Sequence, residues 1–321
     1  METIGVLLLN LGGPDSLEAV RPFLYNLFSD RLIIKLGPPF MQRPIAALIA
    51  ATRAKKSRAM YAQIGGASPL VRITAAQSEA LSNALNEGSP EGKPPFAVFT
   101  GMRYWRPYIE DAVKTAYDAG IREFVAVGLY PHYSLATTGS SFAELERVLS
   151  KKIYPAHCRY IRSWPDNPLY IAALTELINN GIAEFGGRRP HIIFSTHALP
   201  EYFITQGDPY VAEINRTIAA LTAALNGYEV HLSYQSRSGP VKWLAPSTEA
   251  TIIKLSEAGV KDILVVPISF VSDHIETLYE IDIFYRDFAL KRGIILKRVS
   301  ALNTHPVFIQ ALKTLILDEL K

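Results

Sequence analysis

Cysteine is almost absent from the chain: Cys158 is the only one in 321 residues. An intramolecular disulfide needs two cysteines and a thiolate-held iron–sulfur cluster needs four, so these residues supply neither. Such sparing use of cysteine is typical of a reducing compartment. No positively charged leader precedes the apolar run at residues 4–9, which predicts a strand rather than a secretory signal. We therefore expect a cytoplasmic protein without an iron–sulfur cluster.

Long hydrophobic runs and a strong charge of either sign are also missing. No stretch reaches the roughly 18 apolar residues that a membrane-spanning helix needs. The net charge of +3 is too small to indicate a nucleic-acid partner. The G-x-G-x-x-G and Walker A motifs for nucleotides, H-E-x-x-H for zinc and G-x-S-x-G for acyl transfer are absent. Nothing in these patterns favours those chemistries.

Apolar sequence is plentiful, since 49% of the residues are hydrophobic. Nearly continuous apolar runs with β-branched residues predict strands that are buried on both faces, which is typical of a parallel sheet. These runs occupy residues 4–11, 124–130, 191–196 and 263–270. Helical patterns lie between them, so we expect an α/β protein.

The two halves of the chain repeat one pattern. In each half a strand is followed by a turn that contains tryptophan, a helix that closes on Gly120 or Gly259, and a further strand. We predict two similar Rossmann-like, doubly wound domains with parallel sheets, whose strand carboxyl ends face a shared cleft. The predicted domains cover residues 1–155 and 156–321, with a connector at 151–167 and a final docking helix at 306–321.

An acidic stretch at residues 271–282 begins where the strand at 263–270 ends, which is where open α/β sheets place their ligands. If an α-helix begins near Asp273, then Asp273, Glu276 and Glu280 lie at i, i+3 and i+7 on one face. Such a row needs a positive charge or a proton among its members. The alternative, favoured on spacing alone, is a solvated helix start that the helix dipole stabilises. His274 lies off this face and belongs elsewhere or to the turn.

Polar and titratable side chains collect at the predicted strand carboxyl ends. They are Asn10, Arg103, His132, His197, Gln235, Arg237, Asp273, His274, Glu276 and Glu280. A histidine that faces a carboxylate can accept protons or contact a divalent metal. Four aromatic residues, Tyr61, Tyr104, Trp105 and Trp243, are available to cover a flat ligand. The set suits proton abstraction with transient metal contact.

The segment from residue 31 to residue 60 combines apolar and basic residues. Its apolar residues are followed by a basic cluster of Arg53, Lys55, Lys56 and Arg58. This pattern fits a mouth for an amphipathic anion or a membrane-surface contact. It fits equally an ordinary amphipathic helix with a solvated basic end.

Several motifs resemble the ferrochelatase family, in order and over nearly the whole chain. They lie at residues 10–14, 61–70, 130–134, 137–141, 194–200, 235–240 and 272–282. The resemblance implies insertion of ferrous iron into protoporphyrin IX to give protohaem, with the porphyrin between two Rossmann-like domains. Iron is then a substrate, and no permanently bound cofactor is expected.

The resemblance also assigns residues by position. His197 and Glu276 match the family's metal-site pair, in which His197 takes pyrrole protons or contacts the iron. Asp273, His274 and Glu280 match its acidic relay. Arg53, Tyr61 and Ser68 match positions that hold the porphyrin propionates, and Asn10, Leu11, Arg103 and Trp243 match the pocket walls.

Other functions remain open on the sequence. The chain could be a chelatase for another tetrapyrrole or metal, such as coproporphyrin or cobalt. It could also be a porphyrin or haem carrier that uses the same residues without turnover. Peripheral membrane contact through residues 31–58 is a further expectation.

Overall fold

The computed structural model describes residues 3–88, 95–151, 154, 156–225 and 227–321. The chain forms two compact units. Unit 1 comprises Met1–Trp164 with Asn303–Lys321, and unit 2 comprises Pro165–Leu302. None of the helices in the described ranges combines the length and apolar character that crossing a membrane requires.

Unit 1 is built on a parallel sheet of four strands. The strands are β1 (Ile4–Asn10), β2 (Phe96–Met102), β3 (Glu123–Gly128) and β4 (His157–Ile161). Their order is β2-β1-β3-β4, with β1 hydrogen-bonded to both β2 and β3. The middle residues of β1 and β3 are fully buried, because helices cover both faces of the sheet. The connection reverses direction between β1 and β3, which makes their carboxyl ends a topological switch point.

The α-helices of unit 1 that lie between its strands are, among the described residues, three after β1 and one after each of β2 and β3. They are α1 (Val20–Ser29), α2 (Gln42–Ala62), α3 (Leu70–Asn86), α4 (Ile109–Asp118) and α5 (Ser140–Leu149). A 3₁₀ turn at Pro39–Met41 precedes α2, and a π-helix at Leu135–Gly139 precedes α5. Small residues at Ala46, Ala50 and Ala54 form the buried stripe of α2, which lets it pack closely on α1.

Unit 2 repeats this plan. Its strands are β5 (His191–His197), β6 (Val230–Gln235), β7 (Asp262–Pro267) and β8 (Ile295–Arg298), parallel and in the order β6-β5-β7-β8. Its helices are α6 (Pro168–Ala183), α7 (Glu201–Thr205), α8 (Tyr210–Ala224), α9 (Thr248–Glu257) and α10 (Arg286–Leu290), with a π-helix at Glu276–Tyr285. The prediction of two similar α/β units with parallel sheets is confirmed.

The last helix, α11 (Pro306–Glu319), returns to unit 1 and packs against α3 and β4. The ring of its buried Phe308 lies 5.8 Å from that of Trp164. The structure therefore differs from the predicted division at residue 155, because residues 157–161 add an edge strand to the first sheet and α11 buries its apolar stripe on the same unit. Residues 152, 153 and 155 of the predicted connector lie outside the described residues.

Candidate active site

A histidine and a glutamate meet at the switch point of unit 2. His197 is the last residue of β5, and Glu276 is the first residue of the π-helix that follows β7. Because β5 and β7 are neighbours in the sheet, both side chains start from the same edge. The backbone of His197 is held on both sides: its N–H donates to Ser269 Oγ (3.1 Å), and its carbonyl accepts from the Tyr210 hydroxyl (3.0 Å).

The two side chains form a direct contact, with His197 Nδ1 2.7 Å from Glu276 Oε2. The side chains are 35% and 22% exposed, so the pair is half-buried but open to a ligand. Because the carboxylate engages Nδ1, the imidazole presents Nε2 outward. A carboxylate that fixes the tautomer in this way makes a neutral imidazole a better base and a better metal ligand.

The electrostatics of the pair favour its charged form. Burial acts to lower the pKa of His197, but the charge of Glu276, its hydrogen bond and the charge of Glu280 outweigh burial and leave that pKa raised above 6.5. Burial acts to raise the pKa of Glu276, but His197 outweighs it and brings that pKa to about 2. Without a substrate, the pair is therefore an imidazolium beside a carboxylate at mildly acidic pH.

Ser236 joins Glu276 to the second acid of the π-helix, Glu280. Its Oγ lies 3.1 Å from Glu276 Oε2 and also hydrogen-bonds to Glu280. Its backbone N–H donates to Glu280 Oε1 over 2.8 Å, which Ser236 achieves in a left-handed backbone conformation with φ 65°. The Tyr285 hydroxyl donates to the same Oε1 over 2.7 Å. Burial and the charge of Glu276 raise the pKa of Glu280.

Asp273 does not belong to this row of acids. It precedes the π-helix, and its Oδ1 accepts from Arg298 Nη1 over 2.8 Å. The other guanidinium nitrogens of Arg298 bind Asp282 in a fork. The predicted α-helical row at i, i+3 and i+7 is therefore wrong. The π-helix begins at Glu276 and leaves Asp273 outside it, so only Glu276 and Glu280 meet at Ser236.

His274 belongs to the turn before the π-helix, one of the two positions predicted for it. Its side chain is buried, with Nδ1 3.1 Å from the Ser272 carbonyl oxygen and the ring edge-on to Phe270 at 4.5 Å. Burial lowers the pKa of His274, so this imidazole is neutral near pH 7. Its backbone N–H donates to Thr277 Oγ1, which ties the turn to the helix start.

Three predicted substrate-binding residues of unit 1 lie around the carboxyl end of β1. Asn10 closes the strand, with Nδ2 bonded to Thr74 and Oδ1 bonded to the Leu11 N–H over 2.8 Å. Ser68 packs so closely on Gly13 that a Cβ at residue 13 would overlap its Oγ. The backbone N–H of Ser68 donates to the Pro14 carbonyl over 2.7 Å. The motifs at 10–14 and 61–70 therefore meet in space.

The other predicted positions have distinct surroundings. Arg53 is exposed on α2, with its guanidinium 5.3 Å from the Phe28 ring centre, whereas Tyr61 near the end of α2 is buried. In unit 2, Trp243 pairs with Pro200 in an isolated bridge just beyond His197. Its buried indole N–H has no hydrogen-bond partner within the described part of the chain.

Sequence reasoning missed Asp30, which fixes Arg103. This buried carboxylate accepts from Arg103 (2.8 Å), the Tyr104 hydroxyl (2.7 Å) and the Ser140 hydroxyl (2.5 Å). Burial acts to raise the pKa of Asp30, but these donors and the arginine charge outweigh burial and leave it lowered. No periodic pattern marks Asp30. The only signal is its place at the end of α1, just before the apolar segment.

Comparison with solved structures concerns the fold. The structure is similar to SirB from Bacillus subtilis with Fe³⁺, with a TM-score of 0.57 and 12% identity over 99% of this chain and 96% of that one. It is also similar to the sirohydrochlorin chelatase SirB from Bacillus subtilis subspecies spizizenii in complex with cobalt, with a TM-score of 0.56 and 10% identity over 99% and 95%. At such identities the likeness concerns the fold alone. The fold is the two-unit parallel α/β architecture of chelatases.

Sequence comparison then identifies the family. The family model described as Ferrochelatase matches residues 3–320. The ferrochelatase of Desulfotalea psychrophila is 50% identical over 314 residues, which are 98% of this chain and 96% of that protein. The chain belongs to the ferrochelatase family, whose enzymes are lyases that insert a metal ion into a porphyrin. The resemblance predicted from the motifs is confirmed.

Proposed function

We propose that this enzyme inserts ferrous iron into protoporphyrin IX to give protohaem in the cytoplasm. Iron and the porphyrin are its substrates, and neither a resident cofactor nor nucleic acid takes part. The observation that carries the proposal is the His197–Glu276 pair, 2.7 Å apart at the switch point of unit 2. Family membership over residues 3–320 supports the same reaction class.

The proposed chemistry begins with the two pyrrole N–H protons, which must leave before iron can bind all four nitrogens. His197 takes a proton on Nε2 or contacts the incoming iron there, while Glu276 holds Nδ1 and stabilises the imidazolium. The charge of Glu276 raises the pKa of His197, which makes this imidazole a stronger base for the pyrrole protons.

The second step is removal of the protons or delivery of the hydrated metal. Glu280 and Ser236 extend the polar path from Glu276. Asp273 and His274 belong to the proposed relay as residues of the turn before the π-helix, which support this path from outside the row of acids. Asp273 contributes through Arg298, which holds it beside the start of the π-helix. Interacting carboxyls of this kind titrate together, so the path can carry a proton without a free charge at each member.

The residues that the family resemblance assigns to the porphyrin hold the flat substrate in this proposal. Arg53, Tyr61 and Ser68 bind the propionates, and Asn10, Leu11, Arg103 and Trp243 are assigned to the pocket walls. The exposed guanidinium of Arg53 suits a carboxylate, since the pair is charged and can be bidentate. Binding energy from the propionates can then hold the ring in a strained shape that favours metallation.

The test is anaerobic incubation of catalytic amounts of protein with protoporphyrin and Fe²⁺, followed by the porphyrin absorption spectrum. Conversion to the metalloporphyrin with repeated turnover is expected. Binding shifts without turnover would instead favour a porphyrin or haem carrier. Parallel reactions with coproporphyrin and with Co²⁺ distinguish the other chelatases, and faster turnover of either would replace the proposed substrates.

Peripheral membrane contact through residues 31–58 is part of the proposal. Phe40 and Leu48 are 77% and 65% exposed, and they share this segment with the exposed basic residues Arg43, Lys55 and Lys56. Apolar and basic side chains together suit an anionic bilayer surface. Co-sedimentation with anionic vesicles should fall in a Phe40→Ser, Leu48→Ser double variant. Equal sedimentation of variant and wild type would remove the contact.

A further inference from the structure

Two histidines face each other at the amino end of the second sheet. His191 is the first residue of β5 and His231 is the second residue of β6. His191 and the candidate catalytic His197 are the two ends of one strand, about 20 Å apart at the usual rise per residue. The pair is therefore separate from the site at the carboxyl ends.

The register of the strands explains why the two rings meet. Ile193 pairs with His231 across the parallel ladder, and His191 lies two residues before Ile193 on the same face of β5. The imidazoles are thus diagonal neighbours on one face of the sheet. Ladder hydrogen bonds hold both backbones, so the two side chains are organised in advance of any ligand.

The rings are aligned nitrogen to nitrogen. His191 Nδ1 lies 3.0 Å from His231 Nε2, and the two ring planes differ by 7°. The centroids of the two imidazole rings are 5.3 Å apart. This distance equals the separation of the two nitrogens plus about one ring radius on each side. The rings therefore lie edge to edge in nearly one plane rather than face to face, and at least one of the two facing nitrogens carries no proton.

We propose that His191 and His231 form a two-imidazole site for a borderline transition-metal ion such as Zn²⁺, Ni²⁺ or Cu²⁺. Imidazole nitrogens bind Zn²⁺ at about 2.0–2.1 Å, which places two neighbouring ligands of one tetrahedral ion about 3.3 Å apart. The observed separation of 3.0 Å is close to that value. The two nitrogens face each other, so each ring must turn by roughly 35° for both lone pairs to reach one tetrahedral ion. The metal replaces the shared proton, which leaves to solvent.

The surrounding charges leave the nitrogens available. Burial, followed by His191 and Lys254 of α9, lowers the pKa of His231, and Glu229 acts in the opposite direction. His231 is therefore unprotonated near pH 7 and can act as a metal ligand. Across the described residues no set of three or more His, Cys, Asp or Glu side chains is placed to hold an ion. Water completes the coordination, which makes the ion exchangeable.

The consequence is a stabilisation of unit 2 by metal. An ion that binds both imidazoles links β5 to β6 in the folded chain, and the unfolded chain lacks that arrangement. Such an ion raises the unfolding temperature in proportion to the logarithm of its concentration. This effect does not depend on the reaction proposed above.

The test uses the full chain with His197→Ala, so that the candidate active-site pair does not contribute metal binding. Titration calorimetry with Zn²⁺ and Ni²⁺ near neutral pH should show one site. His191→Ala or His231→Ala in this background should weaken binding by on the order of tenfold or more, because one of two protein ligands is lost. The control is His157→Ala, an exposed histidine beside Glu123 in unit 1, and it should leave the affinity unchanged.

Two results of this experiment would overturn the proposal. One is equal binding with and without His191 and His231, and the other is an equal loss in His157→Ala. Each variant is first compared with its background by circular dichroism and metal-free unfolding, so that a fold defect is recognised. If the substitutions do unfold the chain, the deciding measurement is electron spin resonance of Cu²⁺ bound to the His197→Ala protein, which keeps His191 and His231. Two coordinating imidazole nitrogens give a distinct splitting of the signal. The absence of that splitting overturns the site. The metal-binding result at His191 and His231 does not depend on whether the protein metallates porphyrin.

Discussion

Glu276 and Glu280 contact the same hydroxyl group, that of Ser236. A hydroxyl has one proton to donate, so it can donate to only one of the two carboxylates at a time. A carboxyl group that is itself protonated can donate to the hydroxyl oxygen instead. The pKa of Glu276 lies at about 2 beside His197, whereas burial and the charge of Glu276 raise the pKa of Glu280. The surroundings thus separate the two acids, because Glu276 keeps its negative charge to a lower pH than Glu280.

The first prediction concerns the pH dependence of stability. The pKa of His197 is raised, so its contribution is complete below its unfolded value of about 6.5 and disappears as the pH rises through the raised pKa. The pKa of Glu276 is lowered to about 2, so its contribution is complete above about 4.5 and is lost as the pH falls toward 2. The pair therefore stabilises the fold most between about pH 4.5 and 6.5.

Glu276→Gln should lower the free energy of unfolding by about 1 to 2 kcal/mol in that window, and by less on either side. Urea unfolding at about pH 3, 5.5 and 9 measures the difference. Glu123→Gln is the matched control, because Glu123 pairs with His157 on an exposed surface, where such pairs contribute little. A loss that stays constant with pH would contradict the assignment.

The second prediction concerns Arg298, whose side chain is 8% exposed and binds both Asp273 and Asp282. Arg298→Met leaves two carboxylates without their partner beside the π-helix, and should cost about 3 kcal/mol of stability. Arg298→Lys should recover only part of that loss, because a single ammonium cannot reproduce the fork. Lys297→Met, at the neighbouring and more exposed position, is the control in chemical unfolding. Equal effects at residues 297 and 298 would refute the special role of Arg298.

The third prediction concerns Asp30, which holds Arg103, Tyr104 and Ser140 together. Asp30→Asn removes the charge that neutralises Arg103, so the porphyrin KM should rise while kcat changes less. Asp118→Asn, in an exposed i,i+4 pair with Lys114, is the matched control and should leave both constants near wild type. A loss confined to kcat would show that Asp30 does not act through substrate binding.

The strands in the middle of each sheet could be predicted from sequence, because burial on both faces demands unbroken apolar runs such as residues 263–270. The edge strands β4 and β8 could not, since polar residues such as Arg159 and Lys297 interrupt them. The resemblance supplied His197 and Glu276, and their contact follows from the adjacency of β5 and β7.

Other parts of the site depend on partners that spacing does not reveal. The π-helix begins at Glu276 and so excludes Asp273, yet its residues also fit an α-helix that begins earlier. Asp30 and Ser140 are 110 residues apart, and Asp273 and Arg298 are 25 residues apart on different elements. These contacts arise from chain topology, so composition and periodicity carry no trace of them.

The central claim is that His197 and Glu276 form the metallation site. The most direct measurement is the anaerobic rate of metalloporphyrin formation by wild type, His197→Ala and the control His157→Ala, with porphyrin binding followed in parallel by fluorescence quenching. We expect His197→Ala to lose on the order of 10²-fold or more in kcat while it still binds porphyrin, because its base is gone. His157→Ala should match wild type. Undiminished turnover by His197→Ala would contradict the account.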